Sequence, residues 1–94
     1  MLLAPSHIDG MQVVLWSPID HRHQMTGKTR HLVATRQLRA HAGFAICRES
    51  DESFFLFLCD AAWQPIADTW HERLDAARAQ AEFEFTNLSS TWVG

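Results

Sequence analysis

The segment that most constrains the fold runs from Phe54 to Asp60, where the chain reads FFLFLCD. Apolar side chains occupy both alternating sets of positions, so a strand here has no polar side to turn toward water. This pattern predicts a central strand with cover on both faces. The polar loop Ser50–Ser53 precedes it and predicts a hairpin with the β-rich run Phe44–Glu49.

The residues after this strand allow two interpretations. Thr69 to Glu72 matches a capping box, which would begin a helix at Thr69. Ile66 to His71 suits instead the return strand of a second hairpin, after a turn over 61–65, and then Glu72 falls in the first helical turn. We favour the hairpin. The helix should continue to about Phe85, because apolar residues recur at helical spacing along one face: Leu74, Ala77, Ala81 and Phe85.

The first half of the chain adds strands to this unit. Gln12 to Ile19 is β-rich, and Pro18 restricts it to an edge strand or to a strand that ends there. A polar loop follows over 20–28, and 29–38 suits another strand. The sequence therefore predicts one α+β domain over 1–94, with 1–10 as a loose N-terminal arm. We expect an antiparallel sheet of four to five strands with one C-terminal helix packed on one face.

Tight turns at both hairpins predict a register in which Cys47 faces Leu56 and Leu56 faces Trp70. The helix would cover the face that carries these three residues. The opposite face would then lack a second helix, and the N-terminal arm with the tail, curling of the sheet or another chain could cover it. We expect another chain, in a homodimer. The interaction residues would be those of that opposite face: Phe44, Ile46, Phe55, Phe57 and His71.

The four tryptophans are spread along the chain, and there is no tyrosine. Because a tryptophan buries a large apolar area, we expect each one to pin a different segment onto the core. The four residues are Trp16, Trp63, Trp70 and Trp92.

Charge is segregated along the chain, although the net charge is only −3. Residues 21–48 contain six basic residues and no acid, whereas residues 49–84 contain nine acids. Two interpretations follow: the two halves pack as neighbouring layers of complementary charge, or the basic half contacts nucleic acid. The overall balance favours the first reading. The candidate anion-binding residues are Arg22, Lys28, Arg30, Arg36 and Arg39.

Residue types that carry chemistry are present without a recognisable arrangement. His21 and His23 could ligate a metal together with His31, His41 or His71, but no zinc-type spacing accompanies them. We expect no metal and no cofactor. Cys59 with His71 and Asp68 could form a nucleophile and base, yet the predicted register separates them along the sheet. We assign no catalytic residue, and a small enzyme centred on His71 stays an alternative.

Cellular location follows from cysteine usage and hydropathy. Cys47 and Cys59 are too few for a disulfide framework, and no apolar run approaches the ~20 residues of a membrane span. The segment Met1–Pro5 lacks the basic start of a signal peptide. We therefore expect a cytoplasmic protein with free thiols and no membrane contact.

Three short segments carry a resemblance: Cys59-Asp60-x-x-Trp63, Asp68-Thr69-Trp70-His71 and Gln80-Ala81-Glu82-Phe83-Glu84-Phe85. Together they resemble a pattern of small bacterial proteins in a family without a named function. The resemblance implies a sheet followed by one helix, and it transfers no catalytic residue. The order of elements is also similar to that of small bacterial antitoxin and immunity proteins, at the level of topology alone. The leading expectation is a non-catalytic protein-interaction module, and the alternative is a nucleic-acid-binding regulator that uses the basic segment 22–39.

Overall fold

A computed structural model describes residues 3–27 and 41–94 of the chain. Five strands and one helix follow one another in chain order, and a short 3-10 helix at Leu88–Ser90 comes after them. The elements are β1 (His7–Ile8), β2 (Met11–Pro18), β3 (His41–Ser50), β4 (Ser53–Asp60), β5 (Pro65–His71) and α1 (Leu74–Glu84).

The strands form one antiparallel sheet in the order β1-β2-β3-β4-β5, and α1 packs on one face of it. The predicted α+β fold is therefore confirmed, including the choice of a hairpin rather than a helix start at Thr69. The strand predicted over 29–38 lies outside the described residues. Within the predicted N-terminal arm, His7 and Ile8 pair with Gln12 and Met11 of β2.

The helix side of the sheet carries the larger core. Alanines at the centre of α1, Ala77 and Ala81, are fully buried and let the helix axis approach the sheet closely. Phe85, just past the helix, packs edge-to-face against Phe44 with ring centroids 5.5 Å apart. The buried sheet residues on this side include Phe44, Ile46, Phe54, Leu56 and Leu58.

The second face of the sheet is covered from within the chain. Its buried cluster consists of Ile8, Ala45, Cys47, Phe57, Cys59 and Trp63. Ile8 comes from the N-terminal arm and Trp63 from the β4–β5 turn, and the curled sheet brings Trp16 edge-to-face against Trp63 at 5.7 Å. Both the arm and the curl therefore cover the face that we expected a second chain to cover.

Trp63 reaches this cluster through an unusual turn. Its φ is 60°, a left-handed conformation that bulky residues rarely adopt. The Asp60 carboxylate holds the turn by accepting from the backbone N–H groups of Ala62 at 2.8 Å and Gln64 at 3.0 Å. The indole lies directly over Gly43, where an added Cβ would stand 2.7 Å from Trp63 Cη2. Glycine at this position is thus required by the close approach.

The predicted strand register was wrong by one residue along both hairpins, and in each a β-bulge reverses the predicted faces, although in the second hairpin the turn itself also closes earlier, with Cys59 opposite Pro65. Ser50 pairs with Ser53 across the turn as a tight loop requires, but Glu49 is an extra residue, so Cys47 faces Phe55 instead of Leu56. A second irregularity between Leu58 and Cys59 places Thr69 opposite Leu56. Since a slip of one residue reverses the face of every side chain, Phe44 and Ile46 lie under the helix.

Trp70 and Leu74 also differ from their predicted core positions. The slip turns Trp70 to the second face at the end of β5, where it is 51% exposed. Leu74 begins α1 beyond the part of the helix that contacts the core, and it is 38% exposed. Trp92 is half-buried against the helix-side core, in agreement with the prediction that it pins its segment onto the core.

The depth of the core can be tested with two leucine truncations. Leu58→Ala should lower the free energy of unfolding by about 2–5 kcal/mol, because Leu58 is 1% exposed and its loss leaves a cavity. Leu74→Ala should cost less than about 1 kcal/mol, since the side chain already meets water. Urea denaturation of both variants measures the difference, and equal losses would contradict the described packing.

Candidate binding site around Trp70

Trp70 is the most exposed aromatic side chain in the described part of the chain, with half of its surface open to solvent. It stands next to last in β5, opposite the half-buried Phe55 of β4. Phe55 in turn stacks on the buried Phe57, with ring centroids 5.9 Å apart and planes 12° apart. The indole therefore extends an apolar surface that continues into the core of the second face.

Two hydrogen bonds fix the indole in position. Trp70 Nε1–H donates to the hydroxyl of Ser53 at 2.8 Å, and this hydroxyl donates to Glu49 Oε1, also at 2.8 Å. Ser53 is buried in the β3–β4 hairpin, and Glu49 is the bulge residue of β3. An exposed aromatic ring with a fixed orientation loses little conformational freedom on binding, which favours affinity.

Carboxylates surround the exposed ring. A groove beside it is lined by Asp51, Glu52, Trp70, Glu72 and Arg73, and we call these residues together with Glu49 and Asp68 the Trp70 surface. Both nearby cations are already engaged: Arg73 pairs with Asp75 through two contacts of 3.0 and 3.1 Å, and Arg48 pairs with Asp51. Glu52, Asp68 and Glu72 make no ion pair with the described residues, so the surface carries negative charge at neutral pH.

An aromatic face bordered by carboxylates is suited to binding a cation. The negative face of an indole attracts an ammonium or guanidinium group, and tryptophan is the best aromatic for this contact. The neighbouring carboxylates add an electrostatic attraction that salt screens. The arrangement can bind a basic side chain.

The residues predicted for protein interaction are divided between the two faces. Phe44 and Ile46 are buried beneath α1, and Phe57 is buried in the second-face cluster. Phe55 and His71 are half-buried and keep some surface that a partner could contact. Of the five residues, Phe55 is the one that lies beside Trp70.

The predicted anion-binding segment is described at one residue. Arg22 lies in the loop after β2 and binds Asp20 through contacts of 2.9 Å from Nε and 2.7 Å from Nη2. The other four candidates, Lys28, Arg30, Arg36 and Arg39, lie outside the described residues. The anion-binding role stays a prediction.

The thiol, imidazole and carboxylate considered for catalysis stand apart. His71 faces Phe54 on the helix side, whereas Cys59 lies on the second face, five strand positions farther along β4. Burial raises the pKa of the Cys59 thiol to about 12, so it stays protonated. His71 instead hydrogen-bonds Thr69 Oγ1 at 2.8 Å, and burial lowers the pKa of His71.

A cleft lies between α1 and β5 and is lined in part by Thr69 and Glu84. Its volume is about 10 Å³, which is room for one water molecule.

A second group of polar residues forms a buried chain that the sequence did not suggest. The hydroxyls of Ser17 and Thr91 lie 2.6 Å apart, and His23 Nε2 lies 3.0 Å from the Thr91 hydroxyl. The backbone N–H of Asp20 donates to His23 Nδ1 at 3.1 Å. Because Nδ1 accepts, the neutral ring carries its proton on Nε2 and donates to Thr91. Nε2 is therefore unable to take a proton from a hydroxyl, and the chain fastens the loop after β2 to the C-terminal tail.

In the part of the chain that the structure describes, no group of three or more His, Cys, Asp or Glu is placed so that it could hold a metal ion. His21 is exposed while His23 is buried, so the two candidate ligands point to different surroundings. Among the same residues, no helix has the length and apolar character needed to cross a bilayer.

Comparison of the chain with protein-family models, with curated proteins and with solved structures gave no match. The resemblance to small bacterial proteins stays a prediction.

The buried imidazole predicts a dependence of stability on pH. Burial lowers the pKa of His23 from its ordinary value of 6.5, so between 6.5 and the lower folded-state value the unfolded chain binds the proton more readily. The free energy of unfolding should therefore fall as the pH drops below about 6.5 and level off once the folded imidazole is also protonated.

His23→Gln keeps a side-chain donor for Thr91 and removes the titration. We expect this variant to be less stable at pH 8 and to lose less stability between pH 7 and pH 5 than the wild type. Urea denaturation at both pH values measures this, with His21→Gln, at an exposed histidine of the same loop, as the matched control that should lose as much stability as the wild type. An unchanged loss in His23→Gln would contradict the role of the buried ring.

Proposed function

We propose that the protein is a non-catalytic protein-interaction module that binds a cationic segment of a partner protein at the Trp70 surface. The observation that carries this proposal is the exposed indole, held by Ser53 and Glu49 and bordered by carboxylates that lack an ion pair among the described residues. Energetic centres of protein interfaces are rich in tryptophan, and fixed aromatic anchors give affinity at low entropic cost. Cytoplasmic location is part of the proposal, and two buried free cysteines support it.

The proposal is tested with a synthetic peptide that alternates threonine and arginine. The wild-type protein should bind it, and binding should weaken as salt rises, because the carboxylates attract the arginines electrostatically. Trp70→Ala should weaken binding by about tenfold through loss of the cation–π contact and the apolar surface around it. Isothermal titration calorimetry gives both affinities.

Two controls accompany that measurement. Leu3→Ala removes another exposed apolar side chain, outside the Trp70 surface, and should bind the peptide within about twofold of wild type. A peptide of threonine and glutamate should not bind. No binding of the arginine peptide, or equal binding to Trp70→Ala, would overturn the proposal. Retention of the wild type on nucleic acid up to high salt would instead favour the basic segment and the regulator alternative.

The hydrogen-bonded support of the ring makes a further prediction. Ser53→Ala removes the acceptor of the indole N–H and the link to Glu49, so Trp70 keeps its exposure but loses its fixed orientation. We expect peptide affinity to fall by about threefold to tenfold, since immobilising the ring then costs conformational entropy. Ser89→Ala, at an exposed serine of the 3-10 helix outside the Trp70 surface, is the matched control and should leave the affinity unchanged.

The homodimer predicted from the sequence stays a proposal without an assigned surface. Its argument was an uncovered face around Phe57, and Phe57 is 3% exposed within the single chain. Light scattering at high micromolar concentration decides the question, and a strict monomer would contradict it.

A further inference from the structure

The two edges of the sheet differ in how they are covered. Along β2, Gln12 and Met11 pair with β1, Val13 N–H donates to Ser6 O at 2.8 Å, and Trp16 pairs with Val93 of the tail through bonds of 2.9 and 2.7 Å. On the opposite side, β5 is bonded to β4 and to no other strand among the described residues. Within residues 3–27 and 41–94, the outer edge of β5 therefore offers a row of backbone donors and acceptors.

The Trp70 surface lies along this edge. Trp70 and Asp68 alternate along β5 and point to the same face, opposite Phe55 and Phe57 of β4. A strand added beside β5 would place every second side chain next to these two residues. Cations two positions apart in that strand would meet the indole and the Asp68 carboxylate together.

A second copy of the chain suits this edge poorly. Asp68 stands at the centre of the strand Pro65–His71, so antiparallel pairing of β5 with its own copy over the full strand would set Asp68 against Asp68. Like charges directly opposite each other destabilise a strand pair. The same pairing would bring the negative surfaces of both copies together, whereas a cationic strand relieves the negative charge.

We infer that β5 binds an extended segment of a partner protein as an additional strand. The grounds are the edge of β5 that no described strand covers, the position of Trp70 and the negative charge of the Trp70 surface. In the added strand, basic residues at positions i and i+2 would lie over Trp70 and Asp68. This inference rests on the proposed function and specifies its partner. Main-chain hydrogen bonds to β5 would supply affinity, and the spacing of the two cations would supply selectivity.

Two peptides of identical composition test the spacing. One alternates arginine and threonine, and the other carries its arginines in adjacent pairs, so that neighbouring charges point to opposite faces of a strand. We expect the alternating peptide to bind about tenfold more tightly by calorimetry, and we expect Trp70→Ala to reduce this preference. Equal affinities, both dependent on Trp70, would leave the proposed function in place and overturn strand addition.

Backbone pairing is tested separately with N-methylated forms of the alternating peptide. Methylation of one alternate set of amides should abolish detectable binding, while methylation of the other set should change the affinity less than about threefold, because only one set faces β5. Amide exchange of β5 should slow at alternate residues when the unmethylated peptide binds. If both N-methylated peptides bind as tightly as the unmethylated peptide, strand addition is contradicted. If no peptide binds, the proposed function is contradicted as well.

Discussion

The structure depends on the burial of β4 from both sides. Phe54, Leu56 and Leu58 contact the helix-side core, and Phe57 and Cys59 contact the second cluster. One helix covers one face of a sheet, so the other face needs a different cover. The chain supplies it by curling the sheet, by docking Ile8 of the arm and by inserting Trp63 from a turn held by Asp60. The left-handed φ of Trp63 and the glycine at position 43 are consequences of this need.

The bulge at Glu49 joins the packing of the sheet to the binding surface. By shifting the pairing of β3 and β4 by one residue, it places Phe44 and Ile46 beneath α1. The same extra residue gives Glu49 a position from which its carboxylate accepts from Ser53. Through Ser53 it orients Trp70 at the neighbouring strand. A single local irregularity thus decides which face enters the core and how the exposed indole is held.

Much of the fold could be predicted from patterning, because period and length are local properties. The apolar run of β4, the polar loop before it, and the alanines of α1 each determine their element without knowledge of the rest. Register is different, since it depends on a bulge that no residue type marks at Glu49 or near Ile66. The error moved Trp70 from an exposed strand end to a core position, and with it the centre of the candidate site.

The sequence contained a signal for the candidate site, but the wrong predicted register concealed it. Asp68 and Glu72 flank Trp70 in the sequence. Two further acids, Asp51 and Glu52, lie in the loop of the preceding hairpin. Only the pairing of β3, β4 and β5 brings these residues to one surface, where Asp51, Glu52 and Glu72 line a groove beside Trp70. The buried chain of Ser17, His23 and Thr91 had no such signal, because its members are up to 74 positions apart and meet through tertiary packing.

The chain covers the β2 edge of the sheet and leaves the β5 edge without a described neighbour, and this difference affects how copies of the chain behave at high concentration. Growth of a continuous intermolecular sheet requires that each molecule offer a free strand at both ends. Here the arm and the tail occupy the β2 side, and Asp68 sets like charges against each other when two β5 strands meet. Between the described strands of native molecules, edge-to-edge stacking therefore has no repeating contact to propagate. The protein can keep one strand open without making its own folded state a template for aggregation.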